Sequence, residues 1–182
     1  MAVTANEIIN FWFDEEVKER WFNSNDAFDD RLRTLFEITY QSGVTGELDA
    51  WQETPEGALA LVILFDQFPL NMYRGDIKSF ETEALSREIA SRAIGKEFDA
   101  EMSPMQKAFL YLPFMHSENI EDQQTGVNLF KAAGLSDNLR FAKHHQNIIK
   151  QFGRFPHRNK ILGRENTADE ERYLKSDEAF LG

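Results

Sequence analysis

Apolar residues recur at helical spacing in block after block, and capping residues punctuate the blocks. Thr4-Ala5-Asn6-Glu7 reads as a capping box that opens a helix running to about Phe13. Phe28, Leu32, Leu35, Phe36 and Thr39 share one helical face, and Gly43 is placed to stop that helix as its C-cap. Thr54-Pro55 sets a cap and a first-turn proline ahead of an apolar helix from Gly57 to Phe68. Further helices are expected from Phe80 to Ile94 with Gly95 as stop, from Ser103-Pro104-Met105-Gln106 into Pro113, over Asn119 to Ala133, and over Ser136 to Phe152. Thr167-Ala168-Asp169-Glu170 caps a short last one. No stretch alternates like a strand bounded by turns, so the pattern predicts an all-α protein of about 8–10 helices.

The run Ala58 to Phe65 is apolar on every side and should lie at the centre of the core. Pro55 and Pro104 read as helix starts, whereas Pro69, Pro113 and Pro156 each read as the end of an apolar helix after Phe or Leu. These three lie 44 and 43 residues apart, the length of a two-helix solenoid unit of the tetratricopeptide or HEAT kind. A compact irregular bundle is the alternative.

Composition narrows the function classes. The 182 residues suit one domain, spanning 1–182, that buries roughly 70% of the surface its unfolded chain exposes. With 20 Lys+Arg against 31 Asp+Glu the net charge is −11, which argues against a nucleic-acid surface. The absence of cysteine excludes disulfide scaffolds, thiolate zinc sites and cysteine nucleophiles. Met1 to Trp12 lacks the basic start of a secretory leader, and the longest apolar run is far short of a membrane span, so a soluble cytoplasmic protein is expected.

Polar residues gather after the proline-marked ends. Asp66 follows the most apolar helix and needs a partner there, for which Arg74 or Arg158 is suited; either a structural ion pair or a catalytic role fits. Arg154 to Arg164 holds Arg154, Arg158, Lys160 and Arg164 with no acid, a +4 island in a remainder of −15. It fits an anion site or a clasp for neighbouring acids. His145 lies at the centre of the stripe Phe141, Ala142, Ile148, Ile149 and Phe152, as a hydrogen-bonded core histidine would, with His144 at the flank. His116 and His157 follow prolines, and His116 with Glu118 is the best acid–base couple. No His-Glu-x-x-His, phosphate-cradling glycine loop or Gly-x-Ser-x-Gly elbow is present, so no metal and no cofactor are expected. Phe11, Trp12, Phe13, Trp21 and Phe22 could stack a ligand or seal the end of the core.

Three of these segments carry a family resemblance. Asp66 to Pro69 with Asn71 to Gly75, Tyr111 to Glu118, and Phe152 to Asn159 resemble signatures of the bacterial family called domain of unknown function 924. Ile161 to Arg164, Thr167 to Glu171, His145, Phe11 to Phe13 and Trp21-Phe22 extend the likeness over nearly the whole chain. The resemblance implies a tetratricopeptide-like right-handed array of antiparallel helices and brings no established activity. Leu70 stands where arginine is expected and Asn166 where serine is usual, which leaves Arg74 and Arg158 to carry more of any anion site.

Three functions are then open. The first is a helical-repeat module binding a peptide or small anionic ligand through Asn71, Arg74, His116, His145, Arg154, His157, Arg158 and Asn159. The second is a metal-independent, hydrolase-like enzyme with His116 as base, Glu118 or Asp66 orienting it, and Arg74 and Arg158 holding an anionic substrate. The third is an oligomer or adaptor acting through its surface. No nucleic-acid or membrane partner is expected, and the sequence leaves the substrate and the oligomeric state open.

Overall fold

The computed structural model describes residues 3–21 and 23–181, and their regular elements are all helical. The α-helices are α1 (Ala5–Trp12), α2 (Glu15–Lys18), α3 (Asp26–Val44), α4 (Pro55–Val62), α5 (Phe68–Met72), α6 (Glu83–Gly95), α7 (Pro104–Met115), α8 (Ile120–Ala132), α9 (Ser136–Phe152) and α10 (Ala168–Leu174). The caps expected at Thr4, Thr54 and Thr167 are formed. Thr4 with Glu7 and Thr167 with Glu170 form complete capping boxes, and Asn25, Thr54 and Asn119 accept from first-turn N–H groups. The chain divides into two compact units, Met1–Pro113 and Phe114–Gly182.

In the first unit every residue from Gly57 to Pro69 is buried, as the all-round apolar pattern requires. Helices α1 and α6 pack on α4, and α3 packs on α5. Trp12 is fully buried against Trp21, Phe68 and Phe109, so these aromatics seal the core; Phe22 lies outside the described residues. Gly57 admits no side chain, because a Cβ would lie 2.1 Å from the carbonyl oxygen of Trp51. Gly43 corrects the expected helix stop. It lies inside α3, where a Cβ would meet the Phe65 ring at 2.7 Å, and the left-handed residue after the helix is Gly46. Likewise α6 runs through Gly95, and Glu97 takes the left-handed turn. Leu35, placed on the inner stripe by spacing, is 43% exposed.

The three prolines play three different roles, and their spacing does not mark equivalent helix ends. Between α4 and α5 the helix widens into a π-turn over Ile63–Gln67 and continues past Pro69 to Met72. Pro69 has no N–H for the carbonyl of Phe65, four residues back. The hydroxyl of Thr82 donates to that carbonyl instead, at 2.7 Å. Pro113 sits inside α7, which continues to Met115. Pro156 opens a short 3-10 turn, Pro156–Arg158, after α9 has already ended at Gly153 in a left-handed turn.

In the second unit α8 and α9 form a helical hairpin joined by a turn at Gly134, with φ +69°. Gly126 lets α8 approach the end of α7, since a Cβ there would lie 3.2 Å from Phe114. The amide of Gln123 donates to the carbonyls of Met115 and Ser117 at 2.6 and 2.7 Å and so fixes the chain where α7 ends. On α9, Ala142, His145, Ile148 and Ile149 face inward, while Phe141, expected in that stripe, is 49% exposed. Among the described residues no helix is long and apolar enough to cross a membrane.

Candidate functional site

In the first unit, Asp66 is buried in the π-turn and accepts from the Gln67 amide at 2.6 Å. Arg74, one of the partners suited to it, instead grips Asp29. Its Nε donates to Oδ2 at 2.7 Å and its Nη2 to Oδ1 at 3.1 Å, with a third bond to Asn71 Oδ1 at 3.0 Å. Ser24 donates to the same carboxylate at 2.7 Å, and Asn71 donates back to the Gln67 carbonyl at 3.0 Å. This network ties the first turn of α3 to the end of α5. Sequence reasoning missed Asp29, although it lies three and seven residues before Leu32 and Phe36, on their face of the helix.

The second unit brings two signature segments together. Glu118 accepts from Arg164 Nη1 and Nη2 at 2.7 and 2.9 Å and from the Phe155 N–H at 2.7 Å. Burial alone would raise its carboxyl, but the bonds from Arg164 and Phe155 outweigh that and hold it below the ordinary value. Arg164 also donates to Asn159 Oδ1 at 2.8 Å. Arg154 grips Glu170 at 2.6 and 2.9 Å, and this fork is the largest cause holding the Glu170 carboxyl down at about 2. Two of the island's four cations thus clasp acids of their own unit. Glu170 is legible in sequence only as the capping-box glutamate, and the fold adds its pairing with Arg154.

Around this frame lie the imidazoles. His145 is 4% exposed, and its Nδ1–H donates to the Phe141 carbonyl at 2.9 Å, which fixes the tautomer because a carbonyl only accepts. Burial, above all, pushes its pKa down to about 3. His157 is half-buried between the rings of Phe155 and Phe180, at 5.5 and 5.0 Å, and burial and then the Arg158 charge push it down to about 4. Its Nδ1 is shut off from solvent and makes no hydrogen bond among the described residues. Arg158 lies 4.8 Å over the Phe155 ring and donates to the His116 carbonyl at 3.0 Å. His116 and His144 lie close enough to bias the titration of His145. At neutral pH His145 and His157 are therefore neutral imidazoles suited to hydrogen bonding, and the Arg158 charge lies close enough to bias His157. Among the described residues no group of three or more acids and histidines is arranged for a metal ion.

A model of bacterial proteins of unknown function (DUF924) matches residues 8–178. The chain belongs to this family. It is also similar to a solved structure, the protein of unknown function ATU0120 from Agrobacterium tumefaciens, at 39% identity and a TM-score of 0.89, over 94% of this chain and 96% of that one. No curated protein matches it. Asn166 accepts from the Asn159 amide at 2.8 Å. Leu70 is half-buried.

Proposed function

We propose that this DUF924 protein is a binding module, and that the loop cluster of its second unit takes a small anionic ligand or a short acidic peptide. One observation carries the reading: His157 holds Nδ1 away from solvent with no bond to it among the described residues. A buried polar atom left unmatched costs about 1–3 kcal/mol, which a ligand supplying the bond recovers. Arg158, held over the Phe155 ring, adds positive potential beside that imidazole, which favours an anion there. Glu118–Arg164 and Glu170–Arg154 hold the surrounding loop rigid, which favours a preorganised site. A tetratricopeptide-like scaffold would present such loops at its helix ends. A hydrolase reading gains nothing comparable, because Glu118 is committed to Arg164 and Phe155 rather than left to orient His116.

Thermal shift with inorganic phosphate, di- and tricarboxylates and acidic peptides tests the proposal. At a hundredfold excess over Kd a ligand adds about 2.7 kcal/mol, or roughly 5–10 °C for a chain of this size. His157→Ala is expected to remove the shift while leaving the ligand-free melting temperature within a few degrees. Arg158→Ala should weaken binding too, and a large loss of melting temperature there with ligand capture unchanged would favour a purely structural role. The proposal fails if no anion shifts the wild type, or if the shift survives in His157→Ala.

A further inference from the structure

After α10 the chain turns back on itself. The Ser176 hydroxyl donates to the Tyr173 carbonyl at 2.7 Å, the Ala179 N–H to the Ser176 carbonyl at 3.2 Å, and the Phe180 N–H to the Tyr173 hydroxyl at 2.8 Å. This turn delivers the Phe180 ring to 4.4 Å from the His145 ring and 5.0 Å from the His157 ring. Phe180 also joins Phe152 and Tyr173 against the buried cluster of Ile148, Ile149 and Phe155. The rest of the segment holds on lightly: Asp177 and Glu178 are exposed and Leu181 is 69% exposed. The ring therefore seats in an apolar socket walled by two imidazoles, on a short turn fastened to the carbonyl and the hydroxyl of Tyr173.

What the segment fills and what it leaves unfilled together describe a ligand. Phe180 covers the aromatic part of the socket but gives His157 Nδ1 no hydrogen bond. Its two carboxylates, at Asp177 and Glu178, stand in solvent and make no ion pair among the described residues. An external segment presenting an aromatic ring and a well-placed carboxylate or carbonyl would keep the first contact and add the second.

We infer that residues Ser176–Leu181 are an internal occupant of the histidine socket, and that the external ligand is a peptide with carboxylates followed by an aromatic residue, which enters by displacing Phe180. The inference rests on the binding reading above and names its ligand class. A tethered occupant competes at an effective concentration of order millimolar, so it masks the socket from weak ligands until it is displaced.

The test uses the full chain and a fluorescently labelled synthetic peptide of residues 174–181. Fluorescence anisotropy is expected to show the peptide binding Phe180→Ala at least about tenfold more tightly than wild type. A peptide carrying alanine for its phenylalanine should bind neither protein. In Phe180→Ala the imidazole resonances of His145 and His157 should titrate closer to the ordinary histidine value than in wild type. Tyr173→Phe, which keeps both rings and removes only the hydroxyl that anchors the Phe180 N–H, gives the same reading should Phe180→Ala not fold. Equal affinity for wild type and variants, or binding indifferent to the peptide's aromatic residue, overturns the inference. Absence of peptide binding with a phosphate-induced thermal shift retained overturns it and leaves the anion-binding reading standing; absence of both overturns the two together.

Discussion

Glu118 is the residue on which the second unit's loops converge, since it joins a guanidinium 46 residues away and a backbone N–H 37 residues away. Its side chain is 27% exposed and that of Arg164 23%, so solvent screens the pair only in part. Glu118→Gln keeps the shape and removes the charge, and should cost about 2 kcal/mol, below the 3–5 of a fully buried pair. Chemical denaturation of Glu118→Gln, Arg164→Gln and the double variant measures this directly. The expected coupling exceeds about 1 kcal/mol, and a coupling near zero would mean that the pair merely accompanies the fold. Part of this chemistry is legible in sequence: the charge island marked the loop, and the stripe on α9 marked His145 as a core histidine. The partners were not legible. Which acid a guanidinium finds depends on where loops return in space, so Arg74 with Asp29 and Arg154 with Glu170 emerge only from the fold.

At the scale of elements, the segment α4–α5 crosses a proline without breaking, and a hydroxyl from outside the helix makes this possible. Thr82 satisfies the Phe65 carbonyl that Pro69 cannot serve. Thr82→Val should leave a buried carbonyl unmatched and cost about 1–3 kcal/mol. In a Pro69→Ala background the alanine N–H can serve that carbonyl, so the same Thr82→Val change should cost less. Urea denaturation of the four proteins decides it, and equal cost in both backgrounds would refute the compensation. Helix existence, caps and the buried centre were legible, because capping chemistry and periodicity are local. The π-turn was not, because its stability comes from a threonine 17 residues away. Gly43 misled for a related reason: glycine serves both left-handed turns and close helix contacts, and only the Phe65 ring shows which one applies. Leu35 and Phe141 show that periodicity finds a face without giving its width.

For the whole molecule, the buried groups determine how stability follows pH. His145 and His157 have folded pKa values of about 3 and about 4, against an unfolded value near 6.5. Below pH 6.5 the unfolded chain binds protons that the folded chain refuses, so stability falls on acidification and levels off only below the folded values. Each pH unit inside that window costs up to about 1.4 kcal/mol per histidine, and the two together about 2–4 kcal/mol by pH 5. Glu118 and Glu170 act lower with the same sign. Their carboxyls are depressed in the fold, so their contribution is present above the ordinary carboxylate pKa and is lost as pH falls towards about 2 for Glu170. The melting temperature should thus be flat near neutrality, decline from pH 6.5, and steepen below about 4.5. His145→Leu should flatten the upper part of the decline by roughly half while leaving the lower part in place, because only one of the two histidines is then absent. A wild-type melting temperature constant from pH 7 to pH 5 would show that the imidazoles remain protonatable in the folded chain, which their burial against Phe155 and Phe180 opposes.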